Sequence, residues 1–168
     1  MTTLILTVAG SDRPGLVAAV ADVVDAHGGN WENSQLAELA GVFAGVIQVS
    51  VSAERDTGLQ DALRGLDGML TVSVHTGADA DTAAERPITL QVLGNDRPGI
   101  VREVSAVLRE HKLSIQDMTT ETRDAAMAGG RLFEATVAAT VPASADLAVL
   151  RADLERLTAE LQVDISLD

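Results

Sequence analysis

The sequence contains no cysteine, very few aromatic residues and few basic residues, and each shortage excludes a class of function. Without cysteine, none of the 168 residues can form a disulfide, a thiol nucleophile or a zinc–thiolate site. Aromatic residues make up 2% of the chain, with one Trp, two Phe and no Tyr. Because single-stranded nucleic acids stack on aromatic side chains, this composition argues against such a partner. The core must instead consist of aliphatic residues.

Acidic residues outnumber basic residues by 25 to 12, which gives a net charge of −13 and a pI near 4.4. Such a surface repels phosphate backbones and anionic lipids, so direct binding to nucleic acid or membrane is not expected. A small ligand or a basic partner protein remains compatible with this charge. The N-terminal residues lack the basic segment of a secretory signal, and no apolar run approaches the roughly 18 residues that cross a bilayer. We therefore expect a cytoplasmic protein.

One segment of the chain occurs twice. Residues 10–17, Gly-Ser-Asp-Arg-Pro-Gly-Leu-Val, recur at 94–101 as Gly-Asn-Asp-Arg-Pro-Gly-Ile-Val, an offset of 84 residues, and His27 matches His111 in the same register. This period is longer than that of solenoid repeats and indicates a duplicated small domain. Between the copies, residues 78–86 are small, polar and acidic, as is typical of a linker. We predict one domain at 1–77 and a second at 87–168.

Each copy is predicted to run strand, helix, strand, strand, helix, strand. This order is that of the α+β, ferredoxin-like fold, with an antiparallel four-stranded sheet and both helices on one face. Pro14 and Pro98 are predicted at the first helical position, where a missing N–H loses no hydrogen bond. Because the strands are rich in β-branched residues, we expect the second domain or another chain to cover the other face. Each first helix is predicted to bury one apolar stripe, Leu16, Val17, Val20, Val23 and Val24 in the first copy and Ile100, Val101, Val104, Val107 and Leu108 in the second.

The duplicated turns are the strongest candidates for a binding site. Glycine and proline also suit a purely structural turn between a strand and a helix, and that interpretation stays open. A helix N-terminus nevertheless offers backbone N–H groups and the positive end of the helix dipole to a carboxylate or phosphate. Glycine lets a ligand approach the backbone closely, and an aspartate can accept hydrogen bonds from an ammonium group. These features suit a free α-amino acid, with candidate residues Asp12, Arg13, Pro14, Gly15, Leu16 and Val17 in the first turn and Asp96, Arg97, Pro98, Gly99, Ile100 and Val101 in the second.

Polar residues at the start of each second strand are weaker candidates. Asn30 and Asn33 in the first copy align with Ser114 and Asp117 in the second. They could contact polar groups of a ligand, or they could simply satisfy the end of the preceding turn. The three histidines lack the spacing of a metal site, and no nucleophile elbow, phosphate loop or dinucleotide fingerprint is present. We expect no metal, no cofactor and no enzymatic activity.

The turn Gly-x-Asp-Arg-Pro-Gly-Leu/Ile-Val between a first strand and a first helix resembles that of the ACT domain. Two copies in a chain of this length, with His-Gly-Gly-Asn-Trp at 27–31 and Leu-Ala-Gly-Val-Phe-Ala-Gly at 39–45, are similar to the glycine cleavage system transcriptional repressor family. This resemblance implies that the chain binds a small amino acid, with glycine or a serine-like ligand favoured. It also implies that the turn of one copy faces the second strand of a neighbour, with Asn30, Asn33, Ser114 and Asp117 on the facing strands. A DNA-binding partner protein, rather than direct contact with DNA, is implied as well, and a homodimer is compatible with the resemblance.

The two copies also depart from each other. Lys112 and Leu113 stand where the first copy has Gly28 and Gly29, so the two sites need not be equivalent. Our leading hypothesis is a regulator in which ligand binding changes the affinity for a protein partner, a coupling of about 1–3 kcal/mol in typical cases. One alternative is the detached regulatory subunit of an amino-acid or folate-pathway enzyme. Another is an enzyme whose site these motifs do not reveal.

Overall fold

Each half of the chain forms an antiparallel four-stranded sheet with two helices, so the predicted α+β, ferredoxin-like fold is confirmed in both copies. The computed structural model describes residues 1–77, 86–125, 129–161 and 163–168. The chain divides into two compact units, Met1–Ala80 (unit 1) and Asp81–Asp168 (unit 2). Within the described ranges, no helix is both long and apolar enough to span a membrane.

Unit 1 consists of the elements β1 Thr2–Ser11, α1 Leu16–Ala26, β2 Asn30–Leu39, β3 Val42–Val51, α2 Asp56–Arg64 and β4 Thr71–Thr76. Alternate residues of its first strand, Leu4, Leu6 and Val8, are buried against the helices. They pack with apolar residues that recur every four positions on the first helix, including Val20 and Val24. Both helices therefore lie on one face of the sheet of this unit, sheet 1, whose strand order is β2-β3-β1-β4.

Unit 2 repeats this arrangement with the elements β5 Arg86–Asn95, α3 Ile100–Glu110, β6 Ser114–Asp124, β7 Arg131–Val141, α4 Leu147–Leu161 and β8 Val163–Leu167. The second helix of this unit buries a stripe of leucines, Leu150, Leu154, Leu157 and Leu161. Residues 78–85 of the predicted linker lie outside the described residues, whereas its last residue, Arg86, begins the first strand of this unit. The sheet of this unit, sheet 2, has the strand order β6-β7-β5-β8.

The prediction that Pro14 and Pro98 open the helices is wrong. The helices begin two residues later, and the residues between, Gly15 and Gly99, have φ of 92° and 99°. A glycine with φ near 90° and ψ near 0° suits the third position of a type II turn, where proline is common at the second position. The prolines therefore shape a turn that leads into each helix.

The prediction that Val17 and Val101 are buried is also wrong, since their exposed fractions are 44% and 42%. Successive helical residues point about 100° apart, so a residue next to buried Leu16 or Ile100 turns away from the sheet. The remaining stripe residues are buried or packed at the margin of the two cores. An exposed valine thus stands at the same place in both copies.

The other turns show where the copies agree and where they differ. Gly28 and Lys112 both follow a helix in the left-handed conformation, with φ of 65° and 59°. Lysine thus keeps in the second copy the backbone conformation that glycine adopts in the first. The β2–β3 hairpin turns at Ala40 and Gly41, both with positive φ, as a two-residue hairpin loop requires. A bulge occurs at Glu32 in β2 and at Gln116 in β6.

Candidate functional site

Turn 1 (Asp12–Val17) joins β1 to α1 and leaves the N-terminus of that helix without a side-chain cap. The backbone N–H of Asp12 donates to the carbonyl of Gly41 at 2.9 Å, which ties the turn to the β2–β3 hairpin. The carbonyl of Gly15 accepts the first helical hydrogen bond, from Ala19 at 2.9 Å. A Cβ atom placed on Gly15 would meet no atom within 4 Å. The space beside this helix N-terminus is therefore open.

Turn 2 (Asp96–Val101) has the same backbone. The N–H of Asp96 donates to the carbonyl of Arg131 at 2.8 Å, and the carbonyl of Gly99 accepts from Glu103 at 3.0 Å. The side chain of Glu103 makes the difference, because its Oε1 lies 3.6 Å from the position of a Cβ on Gly99. At the matching place α1 has Ala19. The first turn of α3 thus places a carboxylate next to the positive end of the helix, and the first turn of α1 does not.

The candidate side chains of the turns have different surroundings. Leu16 and Ile100 are buried in the cores, which leaves only their backbone to face a ligand. Asp12 and Asp96 are exposed, as are the arginine and proline that follow each of them. The guanidinium group of Arg13 donates to the carbonyl of Gly68 at 3.3 Å. Each turn therefore combines an exposed carboxylate, exposed backbone and an exposed valine at the start of a helix.

Asn30 and Asn33 lie far from turn 1 within the same unit. Asn30 pairs with Ser50, which pairs with Thr3 near the start of β1, whereas turn 1 follows the end of β1. Since a strand rises about 3.3 Å per residue, the eight residues between these points span roughly 26 Å. Within one unit, the structure does not bring the two sets of candidates together. The contact between a turn and the strand of a neighbour remains a prediction.

Ser114 and Asp117 occupy the corresponding positions in sheet 2, again at the opposite end from turn 2. Some of these polar groups have local partners. Asn33 Oδ1 accepts a hydrogen bond from the backbone N–H of Ser34 at 2.8 Å, and the hydroxyl of Ser114 accepts one from Gln116 at 3.4 Å. These local hydrogen bonds agree with a structural role for Asn33 and Ser114. Their other exposed polar atoms remain available to a ligand.

A groove between α3 and α4 in unit 2 was not anticipated from the sequence. Its volume is about 370 Å³. At its margin, a hydrogen bond of 2.7 Å joins His111 Nε2 to Asp153, which also accepts from Arg156 at 2.9 Å. His111 and Asp153 are 42 residues apart, so no local pattern indicates the pair. The described residues contain no cluster of three or more histidine, aspartate or glutamate side chains that could hold a metal ion. The groove is lined by Arg102, Glu103, Ala106, Val107, Glu110, Asp153, Arg156, Leu157 and Glu160.

Comparison with known proteins relates both halves of the chain to one domain type. Models of the ACT domain match residues 2–77 and 82–164. Over 168 residues the chain is 27% identical to the glycine cleavage system transcriptional repressor of Escherichia coli (strain K12), covering 98% of this chain and 88% of that protein. An unknown protein from Galdieria sulphuraria, whose crystal structure is known, is 31% identical with a TM-score of 0.90, covering 99% of this chain and 97% of the other.

A second solved structure, of a candidate glycine cleavage system transcriptional repressor, has a TM-score of 0.71. It covers 99% of this chain and 96% of its own, at 20% identity. At that identity the likeness concerns the fold alone. Both structures extend over the two halves together, so the tandem arrangement of the two domains occurs in other proteins.

Proposed function

Because this chain belongs to the ACT-domain family, with one domain in each half, we propose that it is a non-catalytic regulator that senses a small free amino acid. The relative in Escherichia coli is named a glycine cleavage system transcriptional repressor. By analogy, we place the action of this chain in the control of transcription and in the cytoplasm. Glycine and serine are the first candidate ligands. The net charge of −13 favours action through a protein partner over direct contact with DNA.

The observation that carries this proposal is the uncapped N-terminus of α1 behind an open Gly15. In this proposal, the ligand carboxylate accepts hydrogen bonds from backbone N–H groups of the first helical turn. The exposed carboxylate of Asp12 accepts from the ligand ammonium group. The exposed valine at position 17, which repeats at 101, offers an apolar contact to a small side chain. Backbone donors and one carboxylate together match the two charged groups of an α-amino acid.

Turn 2 is proposed to bind less tightly than turn 1. The Glu103 carboxylate next to Gly99 would repel a ligand carboxylate and would already interact with the helix dipole. Arg102 pairs with Glu103 at 3.3 Å and offsets part of this charge. Since both groups are partly exposed to water, the interaction is screened. We therefore expect one strong site per chain, at turn 1.

An exchange between the two turns tests this proposal. Ala19→Glu gives turn 1 the carboxylate of turn 2, and Glu103→Ala removes it from turn 2. In calorimetry with a panel of free amino acids, glycine and serine first, we expect Ala19→Glu to weaken binding at least about tenfold. Glu103→Ala should leave that site intact and add a second one. Ala26→Glu, at the exposed far end of α1, is the matched control for added charge and should bind normally.

The panel can also contradict the proposal. If no amino acid gives heat or raises the melting temperature of the wild-type chain, the chain is not an amino-acid sensor. If binding occurs but Ala19→Glu has no effect, the ligand lies elsewhere. Affinity capture of the partner separates the two regulatory hypotheses, because a DNA-binding protein supports transcriptional control and an enzyme of amino-acid or folate metabolism supports a detached regulatory subunit.

A further inference from the structure

The face of sheet 1 that carries no helix, called here open face 1, has no charged residue at any position paired between its strands. Its members follow from the strand register, since directly paired residues in antiparallel strands share a face. None is Asp, Glu, Lys or Arg, although such residues make up 22% of the chain. Open face 1 consists of Thr3, Ile5, Thr7, Ala9 and Ser11 of β1, Asn30, Asn33, Gln35, Ala37 and Leu39 of β2, Val42, Ala44, Val46, Gln48 and Ser50 of β3, and Thr71, Ser73 and His75 of β4.

Large aliphatic side chains of open face 1 are exposed. The exposed fractions are 77% for Leu39, 52% for Val42 and 44% for Val46. Leu39 and Val42 pair directly at the end of the β2–β3 hairpin, and Val46 lies further along the same strand. The charged group at the margin is the bulged Glu32, whose carboxylate accepts a hydrogen bond from Gln48 at 3.1 Å. The centre of open face 1 is therefore neutral, and its exposed side chains include three large aliphatic residues.

The corresponding face of sheet 2, open face 2, is charged. Its members include acidic residues on three strands, namely Asp117 and Glu121 on β6, Glu134 on β7 and Asp164 on β8. Arg123 on β6 pairs with Glu134 at 3.3 Å, and both side chains are about half exposed. Two sheets with the same strand order thus present opposite kinds of surface. The fold alone does not require an uncharged face, so open face 1 needs another explanation.

We propose that two copies of this chain pack their open faces 1 against each other about a two-fold axis. A chain with a net charge of −13 repels its own copies, so a contact between copies is favoured where neither surface is charged. A two-fold contact uses the same patch on both copies, and a neutral patch is compatible with itself. A basic partner protein would instead be attracted to the acidic surfaces. Among partner molecules, the occupant that fits open face 1 is therefore a second copy.

The size of the face agrees with this proposal. Strands β1, β2 and β3 have ten residues each. At about 3.3 Å per residue and 4.8 Å between strands, a four-stranded sheet of that length presents roughly 500–600 Å². Two such faces bury about 1,000–1,200 Å² in total, which reaches the lower end of stable protein interfaces. The proposal does not depend on amino-acid binding.

The test measures the mass of the full chain in solution over a wide range of concentrations. We expect the wild type to form a dimer of twice 17.5 kDa. Val46→Glu would place an unpaired carboxylate in each half of the contact, which should raise the dimer dissociation constant roughly 100-fold or more. Its matched control is Thr136→Glu, at the equivalent position of open face 2. Thr136 pairs with Gln91, which matches Thr7 in the repeat, and Thr7 pairs with Val46. The control should remain a dimer.

Each result of these measurements either supports or overturns the proposed dimer. A wild-type chain that stays monomeric at every concentration overturns the proposal, and so does a dimer that survives Val46→Glu. Circular dichroism shows whether the variant is folded. If it is not, Gln35→Glu, at an exposed position of the same face that pairs with Val46, gives a second test, in which the folded chain should be monomeric, and a dimer of that variant would also overturn the proposal. Dissociation by Thr136→Glu as well would assign the contact to a surface other than open face 1.

Discussion

Units 1 and 2 differ most at positions where the fold imposes no requirement. The stripe residues Leu16, Val20 and Val24 are matched by Ile100, Val104 and Leu108, and all of them are buried. The open faces and the first helical turns have no such match, because the second copy carries charged residues at both places, such as Glu134 and Glu103, where the first copy has Ala44 and Ala19. Core packing selects the same residue types in both copies, whereas the surface responds to ligands and partners. The differences between the copies are therefore the places at which we propose contacts with a ligand or with a second copy.

The largest effect is expected where the two sheets pack differently inside. Gly45 on β3 and Ala135 on β7 are equivalent, since they pair with Val8 and Val92. A Cβ at Gly45 would overlap the backbone of β2 and lie 2.8 Å from Leu36 Cα. We expect Gly45→Ala to destabilise unit 1 by about 3 kcal/mol.

The reverse change, Ala135→Gly, should destabilise unit 2 by about 1–2 kcal/mol, because it removes a buried methyl group and loosens the backbone. Urea unfolding followed by residue-resolved hydrogen exchange reports each unit separately. Equal losses of unfolding free energy in the two variants would show that β2 and β6 approach β3 and β7 equally closely. The proposed difference in packing between the two sheets would then be wrong.

A smaller effect is expected at the turns. Gly15→Val and Gly99→Val each place a β-branched residue at a φ above 90°, which should cost about 2 kcal/mol of unfolding free energy. If turn 1 is the binding site, the first variant should also lose the amino acid while the second retains it. Gly68→Ala is the control, because its Cβ would meet no atom within 4 Å and its φ lies outside the left-handed region. Thermal melting and calorimetry measure both properties, and normal binding by Gly15→Val would remove turn 1 from the site.

The smallest effect is expected at the helix ends. Lys112 holds the left-handed conformation that Gly28 adopts without steric cost. We expect Lys112→Gly to stabilise unit 2 by about 0.5–1 kcal/mol. Gly28→Ala should destabilise unit 1 by a similar amount, with the tip of the flexible Arg55 side chain moving aside. Chemical denaturation of the two variants measures the difference, and a loss of stability in Lys112→Gly would mean that the lysine side chain makes a stabilising contact.

Much of the fold could be predicted from local patterns. Apolar residues spaced three and four apart marked α1 and α3, and the repeated turn fixed the register of the two copies. The positions of Pro14 and Pro98 were predicted wrongly, because proline is favoured both at the first helical position and inside a type II turn. Only the backbone angles of Gly15 and Gly99 distinguish these two cases.

The candidate site was predicted in part. The duplicated motif identified both turns, but the separation of Asn30 from turn 1 depends on strand pairing across sheet 1. Glu103 is visible in the sequence, yet it becomes important only because one helical turn brings its carboxylate next to Gly99. The pair His111 and Asp153 joins two helices that are distant in sequence. These features arise from contacts between residues that are far apart along the chain or one turn apart on a helix.

The sequence by itself determined the number of domains, the order of the elements, the acidic charge and the twinned turns, because these depend on neighbouring residues and on composition. Tertiary structure alone decided that Val17 and Val101 are exposed, that Glu103 lies beside one turn, and that the paired positions of open face 1 carry no charged residue. A face of a sheet is assembled from four strands whose register shifts at a bulge such as Glu32, so its members cannot be read from any single segment. Physical contact across strands, rather than order along the chain, sets which residues share a surface.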